Sequence, residues 1–252
     1  MPVNKSRLRS WSESLVSLAC IIVMVTVAKV AIAEAYYVPS GSMQPTLLIG
    51  DQLLATKYPY GYSAASLPAS VALPNTSRIF GALPKRGDVV VFLWPGEASK
   101  VGVKRVIGLP GDHIALRSGR LWINSRPVGL RTDGVDQAEA EDGSQMPAAR
   151  YIETLPDARE HAILRLRAPG DDDNMREVVV PPEHLFVMGD NRDNSADSRF
   201  PVSTGGVGML PAGNLIGRAE RLVGSWDIGV KGQPLWTWPS GLRLSRFFTA
   251  IR

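Results

Sequence analysis

Apolar positions in this chain form one long run near the N-terminus and a series of short, β-branched runs after it. Leu15 to Ala28 carries no charge, and Lys5, Arg7 and Arg9 precede it. Continued through Lys29 to Ala33 the run reaches 19 residues, close to the ~20 that a spanning helix needs when a lysine near its end snorkels to the interface. Glu34 marks the exit, and the positive-inside rule predicts a cytoplasmic N-terminus with an exported body. Ala31-Ile32-Ala33 and Ala33-Glu34-Ala35 also match the small-residue sites at which secretory signals are cleaved. The pattern alone leaves retention or removal of the segment open.

Beyond residue 35 the pattern is that of strands and turns. Ile49 to Ala55 reads as a turn into a strand, and Lys57 to Pro84 as a Tyr-, Ser- and Pro-rich loop or small hairpin. Val89 to Trp94 is an unbroken apolar run of strand length, stopped by Pro95-Gly96. Val101 to Gly108 is a second such run with Lys104 and Arg105 in its middle. Period-two alternation puts these cations on opposite faces, so one points into core or cleft unless the strand is an exposed edge. Ile114 to Arg117 and Leu121 to Asn124 predict a hairpin across Ser118-Gly119, and Tyr151 to Leu155 with His161 to Arg167 another. Residues 129 to 149, rich in acidic and small residues, read as a solvated excursion without chemistry. Val178 to Val180, His184 to Met188 and Leu215 to Trp226 are strand-like, whereas Gly189 to Phe200 is polar without period. Trp236 to Arg252 mixes aromatics with arginines, which suits a membrane-interfacial segment or an element packed on the core.

Composition adjusts this picture in a few places. The 252 residues suit one sizeable domain plus an anchor, and 24 glycines with 19 prolines favour a mainly β fold. The net charge of +4 is spread without a basic helix, which excludes nucleic acid as the natural partner and suits anionic lipid headgroups. Cys20 is the one cysteine, so no internal disulfide forms. His113, His161 and His184 are isolated, and the 190–201 loop fails the glycine and glutamate positions of a calcium loop, so no metal and no cofactor are expected. A Ser-His-Asp triad has no sequence setting to suggest it.

What remains is serine with lysine. Val38-Pro39-Ser40-Gly41-Ser42-Met43-Gln44-Pro45-Thr46 holds hydroxyls on a proline-stiffened loop just beyond the apolar run. A lysine activates a serine only when neutral, which takes a dry site. Moving it from about 10.4 to about 7.5 requires roughly 4 kcal/mol of differential interaction. Lys104, set in an apolar strand, is the best-placed lysine.

These segments resemble the type I signal peptidases, membrane-anchored serine endopeptidases with a Ser/Lys dyad. The resemblance rests on Pro39 to Leu47, Gly50-Asp51, Arg86-Gly87-Asp88-Val89-Val90-Val91-Phe92, Val103 to Asp112 and Met188 to Arg199. Trp238-Pro239-Ser240-Gly241-Leu242-Arg243 is similar to the family's tail. Roughly 57–84 and 125–180 match only in general character. The resemblance implies Ser42 as nucleophile and Lys104 as general base, with the Ser42 N–H and Ser40 hydroxyl as oxyanion hole. Ser195 would orient the Lys104 amine, Asp197 and Arg199 would support the site, and Asp190 and Arg192 would support the fold. Val38, Pro39, Met43, Val91 and Val103, with Tyr36 and Leu53, would line a pocket for small side chains. Gly102 departs from the bulkier residue often found two before the lysine, which puts pocket size there in question.

The expected organisation is a cytoplasmic N-terminus (1–13), a single transmembrane anchor (14–35), and an exported core of antiparallel sheets in two parts (36–124 and 184–235). A smaller inserted β subdomain (125–183) and an interfacial tail (236–252) complete it. The expected partners are the signal peptides of preproteins, cut after A-x-A, and membrane lipids. The expected location is the inner (plasma) membrane with the catalytic domain on the periplasmic or extracellular side. Two alternatives stand beside this reading: a self-cleaving Ser/Lys regulator, and a non-enzymatic, membrane-anchored β binding domain.

Overall fold

A computed structural model describes residues 13–25, 32–66, 78–140, 142–168, 170 and 173–252. Residues 13–25 are helical and exposed along their length. Among the described residues no helix is long and apolar enough to cross a membrane. The expected span runs through 26–31, which lie outside the described residues, as does the basic N-terminus. Its last residues are not helical. Ala33–Tyr37 form a strand, β1, that pairs antiparallel with β2 (Asp51–Thr56), from Ala33 opposite Thr56 to Tyr37 opposite Gln52.

The next strands are β3 (Val89–Trp94) and β4 (Glu97–Gly108), then β5 (His113–Arg117), β6 (Arg120–Ile123) and β7 (Arg126–Pro127). After them come β8 (Gly129–Glu139), β9 (Gln145–Thr154), β10 (Glu160–Arg165), β11 (Met175–Val179), β12 (His184–Met188), β13 (Leu210–Pro211) and β14 (Leu215–Ser225). The main sheet runs β1-β2-β14-β3-β4-β12-β13. β14, last of the strands in sequence, is central in space, between β2 and β3. β3 reads as a continuous apolar run because both its faces are covered. Val89 and Val91 pack with Val38, Met43 and Leu53 on one side, and Val90, Phe92 and Trp94 with Val106, Leu185 and Val187 on the other. A third cluster joins Ile107, Phe186 and Met188 to Ile114, Leu116, Leu121 and Ile123 of the hairpin.

β11, β5, β6 and β7 form a four-stranded sheet, and β10, β9 and β8 a three-stranded one. The expected line between core and insert at 124/125 therefore runs through the first of these. The excursion expected at 129–149 is instead the long hairpin β8–β9, paired from Gly129 opposite Thr154 to Glu139 opposite Gln145. Solvent reaches most of its side chains, so no apolar alternation marks it. Its backbone ladder and the ion pairs of Arg150 with Asp133 and Asp136 hold it together. Its far end touches the site described next.

Part of the tail packs on the core, and part of it is exposed. Trp238 packs against Trp226, and Ile251 N–H bonds to Glu220 C=O, whereas Trp236, Leu244 and Phe248 stay exposed.

Candidate active site

Residues 38–51 form a loop closed at its base, where Val38 N–H bonds to Asp51 C=O and Gly50 N–H to Val38 C=O. Met43, Leu47 and Ile49 are buried beneath it, so apolar burial pins the loop from below while its hydroxyls stay near the surface. Gly41–Met43 make a single 3-10 turn that carries Ser42. The Ser42 carbonyl accepts from Asn191 N–H at 3.1 Å, and Asn191 Nδ2 donates to Gly41 C=O at 3.2 Å. Two successive peptide units of the turn are thereby fixed.

β4 brings Lys104 under this turn. Its Nζ lies 2.7 Å from Ser42 Oγ, and the side chain is 4% exposed. No described carboxylate forms an ion pair with it. Burial lowers the Lys104 pKa from the ordinary 10.5 to about 8. Asp197 and Asp190 pull it up, while Arg199 and Lys100 push it further down. Desolvation prevails over both carboxylates because neither of them touches the amine. Ser40 Oγ lies 3.4 Å from Ser42 Oγ, on the same turn.

The 189–199 loop forms the back of the site. Arg199 clasps Asp197 through Nε and Nη2 at 2.8 and 2.9 Å, and Gly189 N–H donates to the same carboxylate. Burial alone would raise the Asp197 pKa, but the Arg199 guanidinium holds it below the usual carboxylate range. Ser195 sits across Gly189 from Ser42, and a Cβ on Gly189 would lie 2.3 Å from Ser195 Oγ and 2.5 Å from Ser42 C=O. Only glycine allows that approach. The expected bond from Ser195 to the Lys104 amine is not made: Ser195 Oγ is buried without a hydrogen-bond partner among the described residues.

A cleft of about 450 Å³ leads to Ser42 and Lys104. Tyr36, Val38, Pro39 and Met43 line one side and Val103 and Gly102 the other, with Trp94 beside them. Val91 and Leu53, expected among these, are not in the lining. Both are fully buried beneath it, packed with Val38 and Met43, because their strands run through the centre of the sheet. Among the described residues no cluster of His, Cys, Asp or Glu is placed to hold a metal.

Several residues fix the site through contacts that the motifs do not announce. Gln44 Nε2 donates to Glu139 C=O and Gln44 Oε1 accepts from Glu139 N–H, both at 3.0 Å, tying the Ser42 turn to the β8–β9 hairpin in the manner of a strand pair. From the tail, Arg243 donates to Ile49 C=O and to the Glu139 carboxylate. Arg246 grips Asp51 and Thr46 C=O.

A model of the family described as signal peptidase, peptidase S26, matches residues 9–224. The chain is 36% identical to the signal peptidase I of Rickettsia typhi, over 97% of this chain and 96% of that protein. With the signal peptidase I of Rickettsia canadensis it is 36% identical over 97% and 94%. A solved signal peptidase I from Enterococcus faecalis V583 is 22% identical and covers 54% of this chain, with 97% of that chain aligned and a TM-score of 0.32.

Proposed function

As the chain belongs to the signal peptidase family, peptidase S26, and is by that membership a serine endopeptidase, we propose that it removes signal peptides from exported preproteins after A-x-A through a dyad of Ser42 and Lys104. The observation that carries this reading is the 2.7 Å approach of a buried, depressed-pKa lysine to the hydroxyl of a rigidly held serine. No histidine stands in that position.

The chemistry follows from that pair. Neutral Lys104 takes the Ser42 proton as Oγ attacks the scissile carbonyl, and the developing oxyanion is met by the Ser42 N–H and the Ser40 hydroxyl. Protonated Lys104 then gives its proton to the leaving amine. It next takes one from the water that attacks the acyl-serine and returns it to Ser42 Oγ as the ester bond breaks. The Asp197–Arg199 pair keeps this geometry. Specificity is steric, since small side chains enter the cleft beside Val38, Met43 and Val103 and larger ones clash. β12 pairs with β4 only from Arg105 onward, so the stretch before Lys104 offers a free backbone edge for an extended substrate.

The apolar N-terminal run serves as a single-pass anchor with its basic end in the cytoplasm. Exposed Trp236, Leu244 and Phe248 of the tail rest at the lipid interface. The cleft then faces substrates still tethered to the bilayer. The self-cleaving alternative is weakened by β1, because Ala33 to Ala35 are engaged in a ladder and not free to enter the cleft.

The test is cleavage in trans. Purified chain in detergent should cut a separate preprotein after A-x-A, and Ser42→Ala and Lys104→Ala should each lower turnover about 10³-fold or more. Turnover by Ser42→Ala equal to wild type would sink the reading.

A further inference from the structure

We infer that Lys100 is a specificity-determining residue that selects an acidic side chain at the −2 position of the substrate. This rests on the peptidase function proposed above, in which −1 and −3 are small and −2 is left open. Strand alternation separates the two sets. Val103 packs against the cluster of Val38, Met43 and Val91, so the −1 side chain seated beside it, and the −3 side chain two residues along, lie on that face of β4. The −2 side chain turns to the other face, which carries Lys100, Gly102 and Lys104.

That face offers an aromatic floor with a cation standing on it. A Cβ on Gly102 would lie 2.8 Å from Phe92 Cζ and 2.9 Å from Trp94 Cε3. Rings of β3 therefore reach the place that a β4 side chain would take. Phe92 is fully buried and stacks on Trp94, with centroids 5.9 Å apart, and only Trp94 lines the cleft. The Lys100 ammonium lies 4.2 Å from the centre of the indole, held there by attraction to the ring face. Tyr37, half exposed, borders the same cleft from β1. Among the described residues lining the cleft two are lysines, Lys100 and Lys104, and none is acidic. Lys104 acts as a neutral amine, so the standing charge of the cleft is that of Lys100. A carboxylate at −2, entering beside Gly102 between Tyr37 and Trp94, meets this ammonium, and a lysine at −2 is repelled by it.

The experiment uses full-length protein in detergent at about pH 9, above the Lys104 pKa of about 8, and peptides with Ala at −1 and −3 and Glu, Gln or Lys at −2. In wild type kcat/KM for Glu should exceed that for Gln about threefold, the size of an exposed ion pair, and Lys should rank below Gln. Lys100→Met should bring the Glu-to-Gln ratio close to one, and Lys100→Glu should invert it. A second series varies +2 in the same way, since a general field of the cleft would move both series together whereas a contact moves −2 alone. A Glu-to-Gln ratio at −2 that is the same in wild type and Lys100→Glu, both folded by their thermal transitions, would overturn the assignment, and so would an equal change at +2. A wild-type protein that cuts none of the peptides would instead overturn the peptidase function on which it rests.

Discussion

Lys104 and Arg105 are neighbours in β4, both almost wholly removed from water, yet the two faces of the strand treat their charges in opposite ways. Arg105 donates through Nε and Nη2 to the two oxygens of Asp190 at 2.8 and 2.6 Å, through Nη1 to Gly87 C=O, and through Nη2 to Thr46 and Arg252. Burial pushes the Asp190 pKa up, but Arg105 overrides this and holds it below the ordinary range. Beyond that pair, Arg192 grips Glu153, whose pKa falls to about 2, and His161 lies 3.3 Å from the same carboxylate. On the other face Lys104 has a serine hydroxyl and no ion pair. A fully partnered cation fixes a fold, and an unpartnered one in a dry pocket becomes a base.

The largest effect should come from making the two faces alike. Lys104→Arg keeps a cation of similar reach but one that does not lose its proton, and kcat/KM should drop about 10³-fold or more. A variant within tenfold of wild type would deny that a neutral amine is needed.

On the partnered face, Asp190→Ala strands the Arg105 charge in the core and should cost about 3–5 kcal/mol of stability, read as a lowered denaturant midpoint. A change under about 1 kcal/mol would mean that the pair is no more than a surface contact.

Removing Lys104 should have the reverse sign. Its folded pKa of about 8 lies below the ordinary 10.5, so the unfolded chain binds the extra proton and the native state bears a cost. That cost is present in full below pH 8, declines as pH rises from 8 to 10.5, and is gone above. Lys104→Met should therefore be more stable than wild type by about 3 kcal/mol at pH 7, with the difference closing toward pH 10.5. Paired melts of the two proteins across this range measure it, and destabilisation at pH 7 would contradict the account.

The smallest effect tests how the serine is held against the lysine. Gln44→Ala removes both bonds to Glu139 and should lower kcat about tenfold while KM changes little, with Gln44→Glu failing to restore it. An equal change in KM would instead place Gln44 in substrate binding.

Much of this contrast could be read before any coordinates. Alternation placed Lys104 and Arg105 on opposite faces, and the apolar runs located β3, β4, β12 and β14 because these strands are covered by core. Alternation did not reveal that both faces are buried, since β4 is interior and one charge is neutralised by Asp190, 85 positions away. The β8–β9 hairpin escaped because a ladder whose few buried side chains include the small Ala138 and Ala148 leaves little hydrophobic signature. Val91 and Leu53 were assigned to the cleft by resemblance, but depth in a sheet depends on strand order, and β14 returns from the end of the sequence to bury them. Gln44 and Arg243 stood inside segments that matched the family, but what they and Arg246 hold was not legible. Each has at least one contact with distant backbone, and a backbone partner carries no residue type to read.

The central claim is that burial brings the Lys104 pKa down to about 8, so that a neutral amine beside Ser42 is accessible near physiological pH, and the pH dependence of kcat/KM reports it most directly. With a peptide that carries no titrating group, the rate should rise with pH through a single limb at about 8, the pKa of buried Lys104 in the substrate-free protein, and level off above it. A profile flat from pH 6 to 9, or one still climbing near 10.5, would contradict the account.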